Sequence, residues 1–129
     1  MTLVDTDVFI WYLRGNHSAA QALTHAGEFS TSAVTYMELV QGMRSKDELR
    51  VLRSTLHRWG SRVVPIDEAV CAKAVFYCEE HFHSGGLRLA DALVAATAVV
   101  HDATLLTANA RHYKMISDLV IKKFSPPQT

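Results

Sequence analysis

The stretch from Met1 to Leu13 reads Met-Thr-Leu-Val-Asp-Thr-Asp-Val-Phe-Ile-Trp-Tyr-Leu, and the expected fold depends on it. The short apolar run that closes at Leu3-Val4 predicts a first strand. The apolar run from Val8 to Leu13 predicts a short helix directly after it. Asp5 and Asp7 therefore fall at the carboxyl end of the first strand, which is where open α/β sheets bind ligands.

The rest of the chain continues this alternation of strand and helix patterns. The predicted helices are Ser18–Ala26, a helix carrying Tyr36 to Val40, Lys46–Trp59, a helix from Asp67 to Phe82, Leu89–His101 and Ala108–Met115. The predicted strands are Phe29–Ala33, Arg62–Ile66, Thr104–Thr107 and Leu119–Phe124. Because proline donates no ladder hydrogen bond, Pro65 indicates that Arg62–Ile66 is an edge or terminating strand. The alternation favours an α/β fold with a mainly parallel central sheet, whose strand ends meet along one edge.

Length and composition indicate one globular domain. The chain has 129 residues, of which 49% are hydrophobic, so it can bury a core and is not a disordered chain. No apolar run approaches the roughly 20 residues of a membrane span. No basic region precedes an apolar stretch at the N-terminus, so a signal peptide is not expected. We therefore expect a single domain over residues 1–129, with a frayed tail at 125–129, in the cytoplasm and without membrane contact.

Charge gives only a local indication of a partner. Thirteen basic and thirteen acidic residues leave a net charge of zero, which does not point to nucleic-acid binding. The segment from Arg44 to Arg62 is nevertheless mainly basic. Two interpretations stay open: the solvated face of a surface helix, or a rim that contacts phosphates.

Three acidic residues far apart in the sequence are the main candidates for chemistry. Asp5 follows the first strand, Glu38 lies in the first turns of a helix, and Asp91 lies near the start of another. Each alone is more often a capping or solvated residue. Gathered together they would repel one another unless a cation lay between them, and oxygen ligands suit Mg²⁺ or Mn²⁺. Asp102 lies about 16 Å further along the last of these helices and cannot share the same ion.

Two polar residues at the end of another predicted strand are candidate accessories. Thr107 and Asn109 could hydrogen-bond the carboxylates or a metal-bound water. The alternative for Asn109 is that it caps the start of the following helix.

Four motifs in order resemble those of the PIN domain family. They are Val4-Asp5-Thr6-Asp7, then Glu38-Leu39 with Gly42 downstream, then Asp91-Ala92-Leu93-Val94-Ala95-Ala96, and then Leu106-Thr107-Ala108-Asn109. The resemblance runs over residues 1 to about 115. Length and motif order are most similar to the VapC-type toxins of bacterial toxin–antitoxin pairs.

The resemblance implies a Rossmann-like α/β/α sandwich and a metal-dependent endoribonuclease. It carries the catalytic and metal-binding roles onto Asp5, Glu38 and Asp91. It also implies a homodimer and a small antitoxin partner whose tail occupies the groove. Many members have a fourth acid where this chain has Asn109. The number of metal ions therefore stays open, with Asp7 as a residue that could compensate.

The mechanism expected from these residues is hydrolysis of RNA phosphodiester bonds. One or two Mg²⁺ or Mn²⁺ ions would polarise a phosphate oxygen and activate a water molecule. Arg44, and Arg88 near Asp91, are candidates for contacts with RNA phosphates.

Two rival interpretations use the same residues. Asp5-Thr6-Asp7-Val8 also resembles the nucleophile motif of haloacid dehalogenase-type phosphatases, but Phe9 stands where that pattern wants Thr or Val, and no Asp-Asp pair follows downstream. The other rival is a catalytically inert module for protein interaction. Metal-dependent RNA cleavage distinguishes it from the nuclease.

Overall fold

The computed structural model describes residues 1–83 and 86–126. Its strands are β1 (Thr2–Val4), β2 (Phe29–Ser32), β3 (Arg62–Val64), β4 (Thr104–Thr107) and β5 (Ile121–Lys123). Its α-helices are α1 (Thr6–Leu13), α2 (His17–Ala26), α3 (Ala33–Gln41), α4 (Lys46–Trp59), α5 (Glu68–His81) and α6 (Leu89–Val100). A 3₁₀ turn covers Ala110–His112.

The helices begin where short polar side chains accept a backbone N–H. Asn16, Ser32, Ser45 and Asp67 each accept such a bond at 2.9 to 3.1 Å. This satisfies one of the amides that the first helical turn leaves unpaired. Ser32 caps α3 by accepting the N–H of Thr35.

The five strands form one parallel sheet in the order β3-β2-β1-β4-β5. This confirms the predicted mainly parallel sheet and the edge position of the strand before Pro65. The chain builds outward from β1 to β3 on one side and then returns to place β4 on the other side. The strand order therefore reverses between β1 and β4, and ligands of such sheets bind outside the carboxyl ends at this switch point.

The sheet separates two apolar layers. Successive residues of a strand point to opposite faces, so Leu3 and Leu105 pack with α5 and α6, whereas Val4 and Leu106 pack with α1 to α4. Helix α6 is buried through most of its length because residues from Ala92 to Ala98 are apolar or small. The sandwich fixes the start of α6 against the ends of β1 and β4.

The structure corrects one predicted element. Ala108–Met115 does not form a short α-helix, and regular structure there is limited to the 3₁₀ turn. Residues 127–129 of the predicted frayed tail lie outside the described residues, as do Ser84 and Gly85. Among the helices of the described ranges, none has the length and apolar character needed to span a bilayer.

Candidate active site

Asp5 lies at the centre of a hydrogen-bond network at the end of β1. Its side chain is only 7% exposed. Oδ1 accepts the N–H of Thr6 at 2.9 Å, and Oδ2 accepts the hydroxyls of Thr107 and Tyr113, each at 2.9 Å. Burial raises the pKa of Asp5, and the charge of Asp91 raises it further, while these hydrogen bonds oppose the shift.

Asp91 approaches the same point from the first turn of α6. Its Oδ1 lies 3.4 Å from the hydroxyl of Tyr113, which also bonds to Asp5. Its Oδ2 is buried and has no hydrogen-bond partner among the described residues. A buried carboxylate oxygen without a partner is costly. Asp91 therefore offers an oxygen that a ligand could satisfy.

Glu38 reaches the site from α3. It is exposed, and its Oε1 accepts the hydroxyl of Thr6 at 2.7 Å. The oxygen of that hydroxyl also lies 3.2 Å from Oγ1 of Thr35, beneath Glu38 on the same helix. Because Thr6 follows Asp5 directly, the start of α1 aligns Glu38 with the other two acids.

Asp7 is held by the residues that follow β4. Its Oδ2 accepts Nδ2 of Asn109 at 2.7 Å and the N–H of Ala108 at 3.1 Å. Its Oδ1 is buried without a partner. Burial, followed by the charge of Asp5, raises the pKa of Asp7 to about 6. Asn109 occupies the N-cap position of the 3₁₀ turn, but within the described residues its side chain makes no capping bond and instead donates to Asp7.

These side chains share one cleft of about 190 Å³. Its lining includes Asp5, Thr6, Asp7, Ile10, Glu38, Arg88, Asp91, Asn109, His112 and Tyr113. Thr107 lies fully buried beneath it and takes part through its hydroxyl. The three candidate acids, their accessories and Arg88 are thus brought together, although they come from four separate parts of the chain.

Arg44 is the candidate that the structure does not bring into the cleft. Its side chain is 88% exposed and pairs with Glu48 at 3.5 Å on α4. Asp102 also stays outside, in the turn after α6, as its distance along that helix predicts.

The chemistry of the cleft fits a hard divalent cation. Within residues 1–83 and 86–126, no three acidic, His or Cys side chains already surround a cation position. The donor set is nevertheless of the right kind, since Mg²⁺ and Mn²⁺ favour carboxylate oxygens. The unpartnered oxygens of Asp7 and Asp91 and the raised pKa values of Asp5 and Asp7 show that negative charge gathers here without compensation.

Two residues of the site were missed from the sequence. Tyr113 is 1% exposed and joins Asp5 to Asp91, but it falls within a segment predicted to be an ordinary helix. Thr6 lies inside the Asp-Thr-Asp motif, and its adjacency to Asp5 was the available signal.

Comparison with known proteins assigns the chain to a family. The sequence profile of the PIN domain matches residues 2–116. The chain belongs to the PIN domain family.

Its relatives are bacterial. The chain is 36% identical over 123 residues to Ribonuclease VapC10 of Mycobacterium tuberculosis, covering 92% of this chain and 90% of that protein. It is 33% identical over 123 residues to Ribonuclease VapC19 of the same organism, covering 92% and 97%. A toxin–antitoxin complex from Klebsiella pneumoniae contains a chain of the same fold, with a TM-score of 0.81, 25% identity and coverage of 97% and 99%.

Proposed function

We propose that this protein is a Mg²⁺- or Mn²⁺-dependent endoribonuclease and the toxin of a type II toxin–antitoxin pair. The observation that carries the proposal is the cleft at the switch point of the sheet. There Asp5, Glu38 and Asp91 converge, and a buried oxygen of Asp91 has no protein partner. The relatives named as VapC ribonucleases support the choice of RNA as substrate.

Each of the cleft residues has a separate role in hydrolysis. Asp5 and Asp91 hold the ion, which when bound polarises a phosphate oxygen and makes water a better nucleophile. Glu38, aligned by Thr6, accepts the proton that the attacking water loses. As the water oxygen bonds to phosphorus, the ester oxygen on the opposite side leaves. Arg88, exposed at the cleft, contacts a phosphate of the strand.

The partners follow from the same relationships. The matched chain from Klebsiella pneumoniae was solved in a toxin–antitoxin complex. We infer that a small antitoxin protein binds this chain and that the tail of the antitoxin occupies the acidic cleft. We also infer that the chain forms a homodimer and acts in the cytoplasm.

Cleavage of a panel of single-stranded RNAs tests the proposal. Each RNA is incubated with the protein in Mn²⁺, in Mg²⁺ and in EDTA, and the product ends are mapped. We expect internal cuts that leave a phosphate on one product and a hydroxyl on the other, and that disappear in EDTA. Asp91→Asn should lower the rate at least 100-fold, since a metal ligand is removed.

Asp102→Asn is the matched control because it makes the same chemical change in the turn after the same helix, outside the cleft. It should cut as the native protein does. RNA left intact under all metal conditions, with a correctly folded protein, would favour the inert interaction module. Metal-independent cutting would contradict the proposed mechanism.

A further inference from the structure

A second pocket, basic in character, adjoins the acidic cleft. Its volume is about 260 Å³, and its lining comprises Ala108, Asn109, Ala110, Arg111 and Lys123. Asn109 lines both cavities, so the two are direct neighbours. No carboxylate lines the basic pocket, in contrast to the cleft beside it.

The sheet fixes the position of this basic pocket relative to the acids. Lys123 is the last residue of β5 and pairs in register with Thr107, whose hydroxyl bonds to Asp5. Neighbouring strands lie about 4.8 Å apart. Along the carboxyl edge of the sheet, Asp5 of the β1 end, Thr107 of β4 and Lys123 of β5 therefore follow one another at single-strand steps. Arg111 reaches the same pocket from the 3₁₀ turn after β4.

The two cations of this pocket have no acidic partner. Both are exposed, and among the described residues neither takes part in an ion pair or a side-chain hydrogen bond. Arg44 and Arg50, in contrast, are each paired with an acid of α4, Glu48 and Asp47 respectively. Asp7 of the cleft is already bound by Asn109, which lines both cavities. An arginine and a lysine facing one cavity are suited to a phosphate group.

We propose that Arg111 and Lys123 bind a backbone phosphate of single-stranded RNA next to the phosphate that is cut. The strand then crosses the carboxyl edge of the sheet from the end of β1 towards β5. This inference rests on the proposed ribonuclease function and adds to it the direction in which the substrate lies. A contact to a backbone phosphate positions the strand and carries no sequence information.

The test is RNA binding by a charge-removing double variant, Arg111→Gln with Lys123→Gln. Both changes are made in an Asp91→Asn background, which prevents cleavage, and the probe is a fluorescently labelled 12-nucleotide single-stranded RNA. We expect a 5- to 20-fold weaker Kd. The slope of log Kd against log salt should fall by about 0.7, the value for one phosphate contact on a single strand.

Lys46→Gln with Arg53→Gln is the matched control. It removes the same two charges from exposed positions on α4 that line neither cavity, and it thereby also tests the interpretation of the segment from Arg44 to Arg62 as a phosphate-contacting rim. This control should weaken binding less than twofold. In a protein that keeps Asp91, the pocket variant should retain the Mn²⁺ affinity of the native protein, because it leaves the carboxylates in place.

The possible outcomes test the phosphate pocket and the proposed ribonuclease function separately. Equal weakening by both double variants, or none by either, overturns the phosphate pocket while native RNA cleavage leaves the function intact. Weakening by the pocket variant alone supports the pocket even if the native protein proves unable to cut RNA. Native protein that binds no single-stranded RNA at all overturns the pocket and the function together.

Discussion

A single carboxylate, that of Asp5, connects most of the site. It receives one backbone amide and two hydroxyls, and these donors come from α1, β4 and the segment after the 3₁₀ turn. The hydroxyl of Tyr113 reaches Asp5 and Asp91 together. We infer that Tyr113 is a positioning residue, which holds one oxygen of each carboxylate and leaves the other oxygen of Asp91 unpartnered.

Tyr113→Phe should weaken Mn²⁺ binding by about 10- to 100-fold, the usual effect of losing a hydrogen bond to a metal ligand. The free energy of unfolding of the metal-free protein should fall by about 1–3 kcal/mol. Electron paramagnetic resonance of bound Mn²⁺ and urea unfolding measure the two effects.

Tyr77→Phe is the matched control for that variant. Tyr77 is also a buried tyrosine whose hydroxyl bonds to an aspartate, Asp118, at 2.8 Å, but it lies outside the cleft. It should change Mn²⁺ affinity less than twofold. Identical Mn²⁺ affinity in both variants would show that Tyr113 does not position the acids.

The acids of the site could be predicted from the sequence, but the residues that hold these acids in position could not. A carboxylate within an apolar segment stands out because its burial needs a partner, and this applied to Asp91. Tyr113 does not stand out, since a tyrosine among Arg111, His112 and Lys114 resembles any surface aromatic. Only the long-range return of the chain to Asp5, 108 residues earlier, gives its hydroxyl a role.

Among the elements, α3 must be positioned most accurately, because it carries Glu38 to the cleft. Its cap, Ser32, is fully buried at the end of β2 and accepts the N–H of Thr35 at 3.0 Å. The strand therefore passes directly into the helix without a loop. The start of α3 is fixed by a bond in the protein interior, and Glu38 is held at a set distance from Thr6.

Ser32→Ala should lower the free energy of unfolding by about 1–2 kcal/mol, the upper part of the range for a lost cap. It should also reduce the cleavage rate, because α3 presents Glu38 to the cleft. Urea unfolding and the RNA assay give the two values.

Asp67→Ala removes the corresponding cap of α5, where Asp67 accepts the N–H of Val70 at 2.9 Å. A loss of about 1 kcal/mol is expected with cleavage unchanged. Equal losses of cleavage in the two cap variants would mean that α3 has no special part in the site.

Most helices and strands were predicted from hydrophobic periodicity and capping residues. The exception is the segment Ala108–Met115, and it has a physical reason. The segment Ala108–Met115 contains good helix formers, so its composition favours a helix. In the folded protein the N–H groups of Ala108 and Asn109 bond to Asp7 and to the Thr107 hydroxyl. The backbone bonds that follow join residues three apart, and the hydroxyl of Tyr113 is bound to Asp5, so the segment forms a single 3₁₀ turn. The sequence shows local preference, but it does not show which distant acceptor overrides it.

At the scale of the whole molecule, the sheet order creates the site. Helices α1 and α6 begin beside the ends of β1 and β4, where the order of strands reverses. Acids from distant parts of the chain thus meet at one edge. Burial, with a smaller contribution from the neighbouring carboxylates, raises the pKa of Asp5 and of Asp7, so their ionised forms are disfavoured in the metal-free protein.

Asp5→Asn should therefore stabilise the metal-free protein while abolishing cleavage. Burial raises the pKa of Asp5, so its ionised form disfavours folding at neutral pH, and the amide carries no charge. We expect the melting temperature in EDTA to rise by about 4 °C, which corresponds to roughly 1 kcal/mol for a chain of this size. A lower melting temperature would mean that the hydrogen bonds to the carboxylate outweigh the cost of its burial.

Calorimetric titration of Mn²⁺ into the native protein, Asp91→Asn and Asp102→Asn tests the convergence of the acids most directly. Asparagine suits position 102 because it tolerates the positive φ of 53° found there. We predict saturable binding to the native protein and to Asp102→Asn, and at least 100-fold weaker binding to Asp91→Asn. The same binding curve for all three proteins would contradict the account, because it would show that the carboxylates in the cleft hold no metal.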